Sequence, residues 1–306
     1  MQQDLAFDPA PGLAEEIAPR VRRILAPNPS AMTFRGTNTY LVGDKDLAVI
    51  DPGPLSRPHL AAILAAVEPG QRIRQILVTH AHIDHSPLSR DLADATDAPI
   101  LAYGPAMAGR SAVMQQLAEH GLAGGGEGVD TGFAPDICLP DNAVITGEGW
   151  QLQALWTPGH FGNHLCFALD DILFTGDLVM GWASSLVSPP DGDLSDFMAS
   201  CLRIKARKDR LYLPGHGAPV RNPMARMDWL ISHRLAREAA ILQALSKTPA
   251  TAAELASAIY TDTPAPLLPA ATRNVFAHLV DLTQKKRVAP QGHLSREATF
   301  HLIQGR

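Results

Sequence analysis

One six-residue stretch constrains this chain more than any other. His80-Ala81-His82-Ile83-Asp84-His85 places four metal-binding side chains directly after an apolar run. The run, Ile73-Arg74-Gln75-Ile76-Leu77-Val78, follows Gly70 and is dominated by apolar, partly β-branched residues, so it reads as a buried strand. His80 and His82 alternate as strand residues do, so both imidazoles can leave one side of the backbone. Asp84 and His85 then turn inward as the chain enters the next helix. Any single one of these side chains could be an incidental polar residue of a strand-to-helix loop. Four donors in six residues argue against that for the set.

Three further donors arrive at separated positions, each after apolar residues and next to a glycine that allows a tight turn. Leu155-Trp156-Thr157-Pro158-Gly159 leads to His160, Ile172-Leu173-Phe174-Thr175-Gly176 to Asp177, and Leu211-Tyr212-Leu213-Pro214-Gly215 to His216. Three loops can thus close over the first. Imidazole and carboxylate are borderline and hard ligands that suit zinc and tolerate manganese or iron, whereas copper(I) favours thiolates. A metal with open coordination lowers the pKa of its water to about 7, and two metals roughly 3.5 to 4 Å apart can hold both the attacking oxygen and the oxyanion it generates. The pattern points to a metal-dependent hydrolase.

The sequence of a His-x-His-x-Asp-His motif, a later histidine, an aspartate and a last histidine resembles the metallo-β-lactamase superfamily, over roughly residues 30–220. The resemblance implies one zinc held by His80, His82 and His160, a second held by Asp84, His85 and His216, and Asp177 between them, with a shared hydroxide as nucleophile. It also suggests a catalytic role for Asp84, orienting that hydroxide or carrying a proton to the leaving group. The zinc β-lactamases resemble this chain in fold but place a cysteine where Asp177 stands, which disfavours antibiotic hydrolysis.

The three cysteines, Cys138, Cys166 and Cys201, have no CxxC spacing and fall outside the ligand motifs, so they are expected to be buried or semi-buried thiols in a reducing compartment. The chain has 306 residues, 46% of them hydrophobic and 19% charged, which suits two soluble domains. Its N-terminus shows no basic segment followed by an apolar run, and no aliphatic stretch approaches the ~18 residues of a membrane span. A cytoplasmic protein without a membrane partner is expected.

Strand patterns at residues 37–43, 47–51, 73–79, 100–103, 144–146 and 152–156, and near Leu165 and Ile172, interleave with helical patterns at 58–67, 86–95, 109–120 and 194–206. That is α/β layering. The superfamily resemblance sharpens it to a four-layer αββα sandwich with the metals at one edge. The glycine-rich segment Gly124-Gly125-Gly126-Glu127-Gly128 lacks the Lys-Ser/Thr of a phosphate-binding loop and reads as a surface loop or lid. Trp182 and Ser184, shortly after Asp177, are candidate substrate-binding residues.

Composition changes after Pro223. From Arg226 onward there are ten Lys and Arg against six Asp and Glu, while residues 1–225 hold sixteen against twenty-five. Helices are expected at 229–245, at 251–260 behind a Thr251 cap with Glu254 three residues on, and at 272–286. A hairpin over 287–303, turning at Gly292, follows. The boundary predicts a catalytic domain at 1–222 and a small helical, winged-helix-like domain at 223–306. With Arg35-Gly36-Thr37-Asn38-Thr39-Tyr40 and Pro189-Pro190-Asp191-Gly192-Asp193-Leu194, this pairing resembles the beta-lactamase-like protein 2 group. That group includes single-stranded RNA endonucleases and general hydrolases, and related fungal proteins cleave carrier-protein thioesters.

Three readings follow. The first is a hydrolase of a thioester, ester or similar small acyl substrate. The alternative is a single-strand endoribonuclease with RNA as partner, which needs a cationic channel that a catalytic domain of net charge −9 supplies only through local patches such as Arg20-Val21-Arg22-Arg23 or residues 203–210. Those patches more often form solvated faces. The third, a winged-helix nucleic-acid regulator with a structural metal, conflicts with seven donors including a shared carboxylate, because structural zinc sites are closed by four ligands. In the favoured reading the third C-terminal helix packs beside the active site or against a second copy in a homo-oligomer.

Overall fold

The computed structural model describes residues 6–124 and 128–303. Two sheets are stacked, with helices outside both. The first sheet runs in chain order: β1 (Ala14–Ala18), β2 (Val21–Leu25), β3 (Asn38–Val42), β4 (Asp46–Ile50), β5 (Arg72–Leu77), β6 (Ile100–Ala102) and β7 (Ile137–Cys138). Pairing is antiparallel as far as β4 and parallel from there on. Parallel neighbours need a crossover, and α1 (Arg57–Ala65) and α2 (Leu88–Thr96) supply the first two. Helix α3 (Ala112–Glu119) precedes β7. The second sheet holds β8 (Val144–Gly147), β9 (Trp150–Trp156), β10 (Leu165–Leu169), β11 (Ile172–Gly176) and β12 (Leu211–Pro214), in the order β12-β11-β10-β9-β8. Its parallel pair, β11 with β12, is bridged by α4 (Leu194–Lys205).

Alternation along single strands builds the layers. In β3, Tyr40 and Val42 face the second sheet and meet Leu165, Phe167, Phe174 and Leu213, while Leu41 turns the other way onto Ile63, Leu88 and Leu92. In β10, Phe167 faces inward, and Cys166 and Ala168 face Phe197, Cys201 and Met227. The Tyr40 and Phe174 rings meet edge-on at 5.2 Å between centroids. Truncating Phe174 there would cost about 3–5 kcal/mol in cavity and transfer terms. The four-layer αββα expectation is met.

After the sandwich come α5 (Pro223–Leu245), β13 (Ala250–Thr251), α6 (Ala252–Ile259), a short 3₁₀ turn (Ala265–Leu267), α7 (Leu268–Gln284), β14 (Val288–Pro290) and β15 (Thr299–Leu302). The last three strands form an antiparallel sheet, β13-β15-β14. Helix α5 begins six residues before the expected 229, because the Asn222 side chain caps it and Pro223 occupies the first turn, where its missing N–H costs nothing. The module shares cores with the sandwich: Met114 and Leu117 of α3 pack among Ile241, Phe276 and Leu279, and Met227, Leu230 and Ala277 join the core around Phe197.

Several expectations need correction. The β1–β2 hairpin carries no clear strand signal in the sequence, because its polar residues hide the alternation. Arg22 and Arg23 are no solvated face: Arg23 is 5% exposed and paired with Glu15, and Arg22 donates to the Ala66 carbonyl at 2.7 Å and to Gln71 at 2.9 Å. Residue Cys138 is exposed, whereas Cys166 and Cys201 are buried and burial pushes both thiols up to about 12. Of the glycine-rich segment, residues 125–127 lie outside the described residues. Among the described residues no helix is long and apolar enough to cross a membrane.

Candidate metal centre

The expected donors converge at one edge of the sandwich, where the C-terminal ends of β5, β11 and β12 meet the loop after β9. His80, His82 and His160 bring ligand atoms within 4.8 Å of one another, as do His80, His85 and Asp177, and Asp84, His85 and His216. Gly215 makes the approach feasible: a Cβ there would lie 2.5 Å from Asp177 Oδ1 and 2.7 Å from the His85 ring. Gly159, at φ +137°, brings its turn against the Phe197 backbone, where a Cβ would sit 2.2 Å from Cα.

The donor atoms point at one another. His80 Nε2 is 2.8 Å from His82 Nδ1, His160 Nε2 is 3.2 Å from the same atom, and His85 Nε2 is 3.2 Å from His216 Nε2. Asp84 Oδ2 lies 3.1 Å from His216 Nε2, and Asp177 reaches His85 through Oδ1 at 3.6 Å and both His160 and His216 through Oδ2 at 3.7 and 3.4 Å. Asp177 thus stands between the two groups. Asp84 Oδ1 and Asp177 Oδ1 are buried with no hydrogen-bond partner among the described residues. Orphaned buried carboxylate oxygens cost about 1–3 kcal/mol or more apiece. Facing imidazole lone pairs, they fit a site built for divalent cations.

The far nitrogens are oriented by acceptors that fix each ring. His85 Nδ1 is 2.9 Å from Asp51 Oδ2, His160 Nδ1 is 2.7 Å from the Leu186 carbonyl and His216 Nδ1 is 3.1 Å from the Gly36 carbonyl. Each presents Nε2 to the cluster as the acceptor of a cation. Asp51 also accepts from Thr79 N at 2.7 Å and from Thr79 Oγ1 at 2.8 Å, and that hydroxyl lies 2.9 Å from His80 Nδ1. The carboxylate therefore braces two rings. Burial holds His80, His82 and His160 below the ordinary imidazole range, His82 at about 3, so this group is neutral. At His216 burial acts the same way, but Asp177 and Asp84 override it and raise the ring to about 10, and at His85 the carboxylates of Asp84, Asp51 and Asp177 also win over burial. Cation binding requires the neutral form of each imidazole, so the carboxylates that raise His85 and His216 are also the groups a cation would compete for.

Trp182 and Ser184 do not join the donors. They line a neighbouring cavity of about 200 Å³ that shares Met32, Met180 and Leu186 with the cluster's own cavity. Trp182 stacks on Phe34 at 5.2 Å. Sequence reasoning missed Asp51, although an acid ending an apolar strand next to the histidine-bearing one was a signal. It also missed Arg234 and Asn274. Asn274 Oδ1 accepts from Val187 N at 3.0 Å and from Arg234 Nη1 at 2.9 Å, and Arg234 also donates to the Ser185 carbonyl. The loop that carries the Leu186 carbonyl is thereby pinned to α5 and α7. Nothing in a linear pattern marks an arginine inside an amphipathic helix as such a clamp. His164 is buried against the His80 ring at 5.2 Å, outside the donor groups.

Two face-packed sheets with helices outside and a buried His/Asp cluster at one edge define a metal-dependent hydrolase class. Residues 32–216 match the model of the metallo-beta-lactamase superfamily and residues 251–296 that of the beta-lactamase associated winged helix domain, and the chain belongs to that superfamily. It is 32% identical over 291 residues to a beta-lactamase-like protein 2 homolog of Drosophila melanogaster, covering 88% of this chain and 89% of the relative. An atrochrysone carboxyl ACP thioesterase of Aspergillus fumigatus is 30% identical over 269 residues, covering 81% and 76%. A beta-lactamase domain protein from Burkholderia ambifaria shares the fold at TM-score 0.79 and 21% identity, over 98% of this chain and 96% of that one. A metallo-beta-lactamase family protein from Thermus thermophilus does so at 0.74 and 24%, over 94% and 100%.

Proposed function

We propose that the chain is a dinuclear, zinc-dependent hydrolase of thioesters or similar small acyl compounds. One observation carries the reading: two buried carboxylates with unpartnered oxygens stand among five converging imidazoles, beside a cavity with apolar walls. His80, His82 and His160 would hold one ion, Asp84, His85 and His216 the other, and Asp177 would face both. Bound ions would supply Lewis acidity and a water acidic enough to ionise near neutral pH.

The chain's own groups do the rest. Asp84 is held ionised by its neighbours His85 and His216 against the effect of burial. Its unpartnered Oδ1 can take a proton from the attacking water and return it to the leaving sulfur or oxygen. Met32, Met180 and Leu186 line the cluster's cavity and limit bulk water there. The thioesterase relative supports an acyl substrate.

The nuclease alternative keeps few free cations in the two runs: Lys208 is exposed and Arg20 is ion-paired with Asp44. Arg22 and Arg23 are engaged as described, Arg203 is bound to Asp141 and the Trp156 carbonyl, Lys205 to Asp228, Arg207 to Asp209 and Arg210 to Asp171. Paired cations release few counterions from RNA. Helix α7 is equally unsuited to a DNA groove, because residues 275–282 are buried.

The test is a parallel assay of metal-loaded wild type and Asp177→Ala on acyl thioesters, lactones, phosphodiesters and single-stranded RNA, with elemental analysis of both proteins. Thioester turnover that falls more than about 100-fold in the variant, beyond what a supporting residue costs, together with two zinc per wild-type chain, is expected. Site-dependent cleavage of RNA without acyl turnover would overturn the reading.

A further inference from the structure

The cavity beside the metal centre has an unusual second wall. Its near side is Met32, Met180 and Leu186, shared with the cluster, and its far side is the C-terminal module through Leu267, Ala270 and Asn274. None of the residues lining it is charged. Leu267 and Ala270 are half-buried, so their exposed atoms face open space. Asn274 Oδ1 is fully used by Val187 N and Arg234, which assigns the amide orientation and leaves Nδ2 without a hydrogen bond among the described residues. A largely apolar, uncharged cavity with unpartnered donors at Asn274 and at the Trp182 indole, opening beside reacting groups, has the chemistry of a substrate-group pocket.

We propose that this cavity holds the acyl group of the substrate, and that Leu267 and Ala270 of the C-terminal module set the acyl size accepted; the proposal rests on the thioester-hydrolase reading above. At about 200 Å³ the cavity has room for roughly six or seven water-sized groups at ~30 Å³ each. That suits a short to medium apolar acyl chain. Asn274 Nδ2 would donate to an oxygen carried on that chain. A free carboxylate or phosphate finds no counter-charge there and is excluded by desolvation. Leu267 and Ala270 line this cavity and not the cluster's own, so substitutions in them should act on acyl selectivity.

The experiment compares wild type, Ala270→Phe, which fills the cavity, and Leu267→Ala, which enlarges it. Acetyl, butanoyl, hexanoyl and octanoyl thioesters of N-acetylcysteamine are assayed for kcat/KM, and the inert S-methyl and S-hexyl thioethers are titrated by calorimetry. Ala270→Phe is expected to lower the hexanoyl-to-acetyl ratio by about tenfold or more, the scale on which an apolar pocket discriminates a methylene or two, with weaker S-hexyl binding, while Leu267→Ala shifts the preference toward octanoyl. Thioesters turned over with an unchanged length profile and unchanged S-hexyl binding in both variants would overturn the pocket and leave the hydrolase reading standing. No wild-type turnover of any thioester would overturn the substrate reading itself. The titrations then still decide the cavity, because S-hexyl binding that is equal in wild type and both variants overturns it. The opposite directions expected of the two variants keep the result readable if one of them fails to fold.

Discussion

His85 and His160 lie on either side of Asp177, yet they are held in place by different regions of the molecule. His85 leans on Asp51, whose remaining side-chain contacts, Thr79 N and Thr79 Oγ1, both lie within the sandwich at the ends of β4 and β5. His160 leans on the Leu186 carbonyl, and the segment on either side of that carbonyl is fixed by Arg234 of α5 and Asn274 of α7. A carboxylate partner fixes the ring's tautomer, strengthens its basicity and needs no outside help. A backbone carbonyl does so only as well as its loop is positioned. The difference gives the C-terminal module a part in the centre: one of the seven donors, His160, depends on it for orientation.

The sharpest way to break this comparison is at Asp51. Asp51→Asn keeps the shape and the acceptor for Thr79 N but removes the charge facing His85 Nδ1. Metal affinity of the Asp84, His85 and His216 group is expected to fall about 10–100-fold, while the His80, His82 and His160 group falls less. Chelator competition resolves the two steps. Equal weakening of both would show that Asp51 acts on the whole edge and that the halves are not separately braced.

Arg234→Met carries the next largest effect and tests the other half. Arg234 is 2% exposed, and its guanidinium sits over the Phe197 ring at 5.0 Å and donates to Ser185 and Asn274. Burial lowers its pKa without any facing carboxylate to oppose the shift. Losing its hydrogen bonds should cost about 1.5–3 kcal/mol of stability and about tenfold in affinity at the His160 group, within the range for a supporting contact. Global denaturation and stepwise metal titration read these separately. A stability loss with intact metal affinity would sink the clamp.

The same division separates what is legible in the sequence from what is not. All seven donors follow apolar strands, three of them at glycine-marked turns and four in one six-residue stretch, so periodicity and donor chemistry are enough to find them, and the αββα layers follow from the superfamily resemblance. The β1–β2 hairpin escapes because Arg22 and Arg23 sit in a strand whose cations are committed to Glu15, Gln71 and a helix-end carbonyl. Charge runs look alike whether solvated or paired. Arg234 and Asn274 escape for a related reason: each occupies an ordinary helical position, and its role exists only through residues 40 to 90 places away in the chain. Trp182 and Ser184 are placed near the site by their distance from Asp177, and the structure puts them in the adjoining cavity rather than among the seven donors.

The smallest expected effect separates the clamp from mere stability of the module. Thr251 and Glu254 form a reciprocal cap on α6: Thr251 N donates to Glu254 Oε2 at 2.7 Å and Glu254 N donates to Thr251 Oγ1 at 3.3 Å, on the exposed side of the module. Thr251→Ala removes the hydroxyl acceptor and should cost about 1 kcal/mol, a fall of roughly 2–4 °C or less in Tm for a chain of this size. It touches neither Ser185, Leu186 nor Asn274, so metal affinity and the acyl-length profile should stay at wild-type values. Because Arg234→Met and Thr251→Ala both loosen the same module, a Thr251→Ala protein that lost affinity at the His160 group in proportion to its lost stability would mean that general loosening, and not the Arg234–Asn274 contact, is what reaches the metal centre.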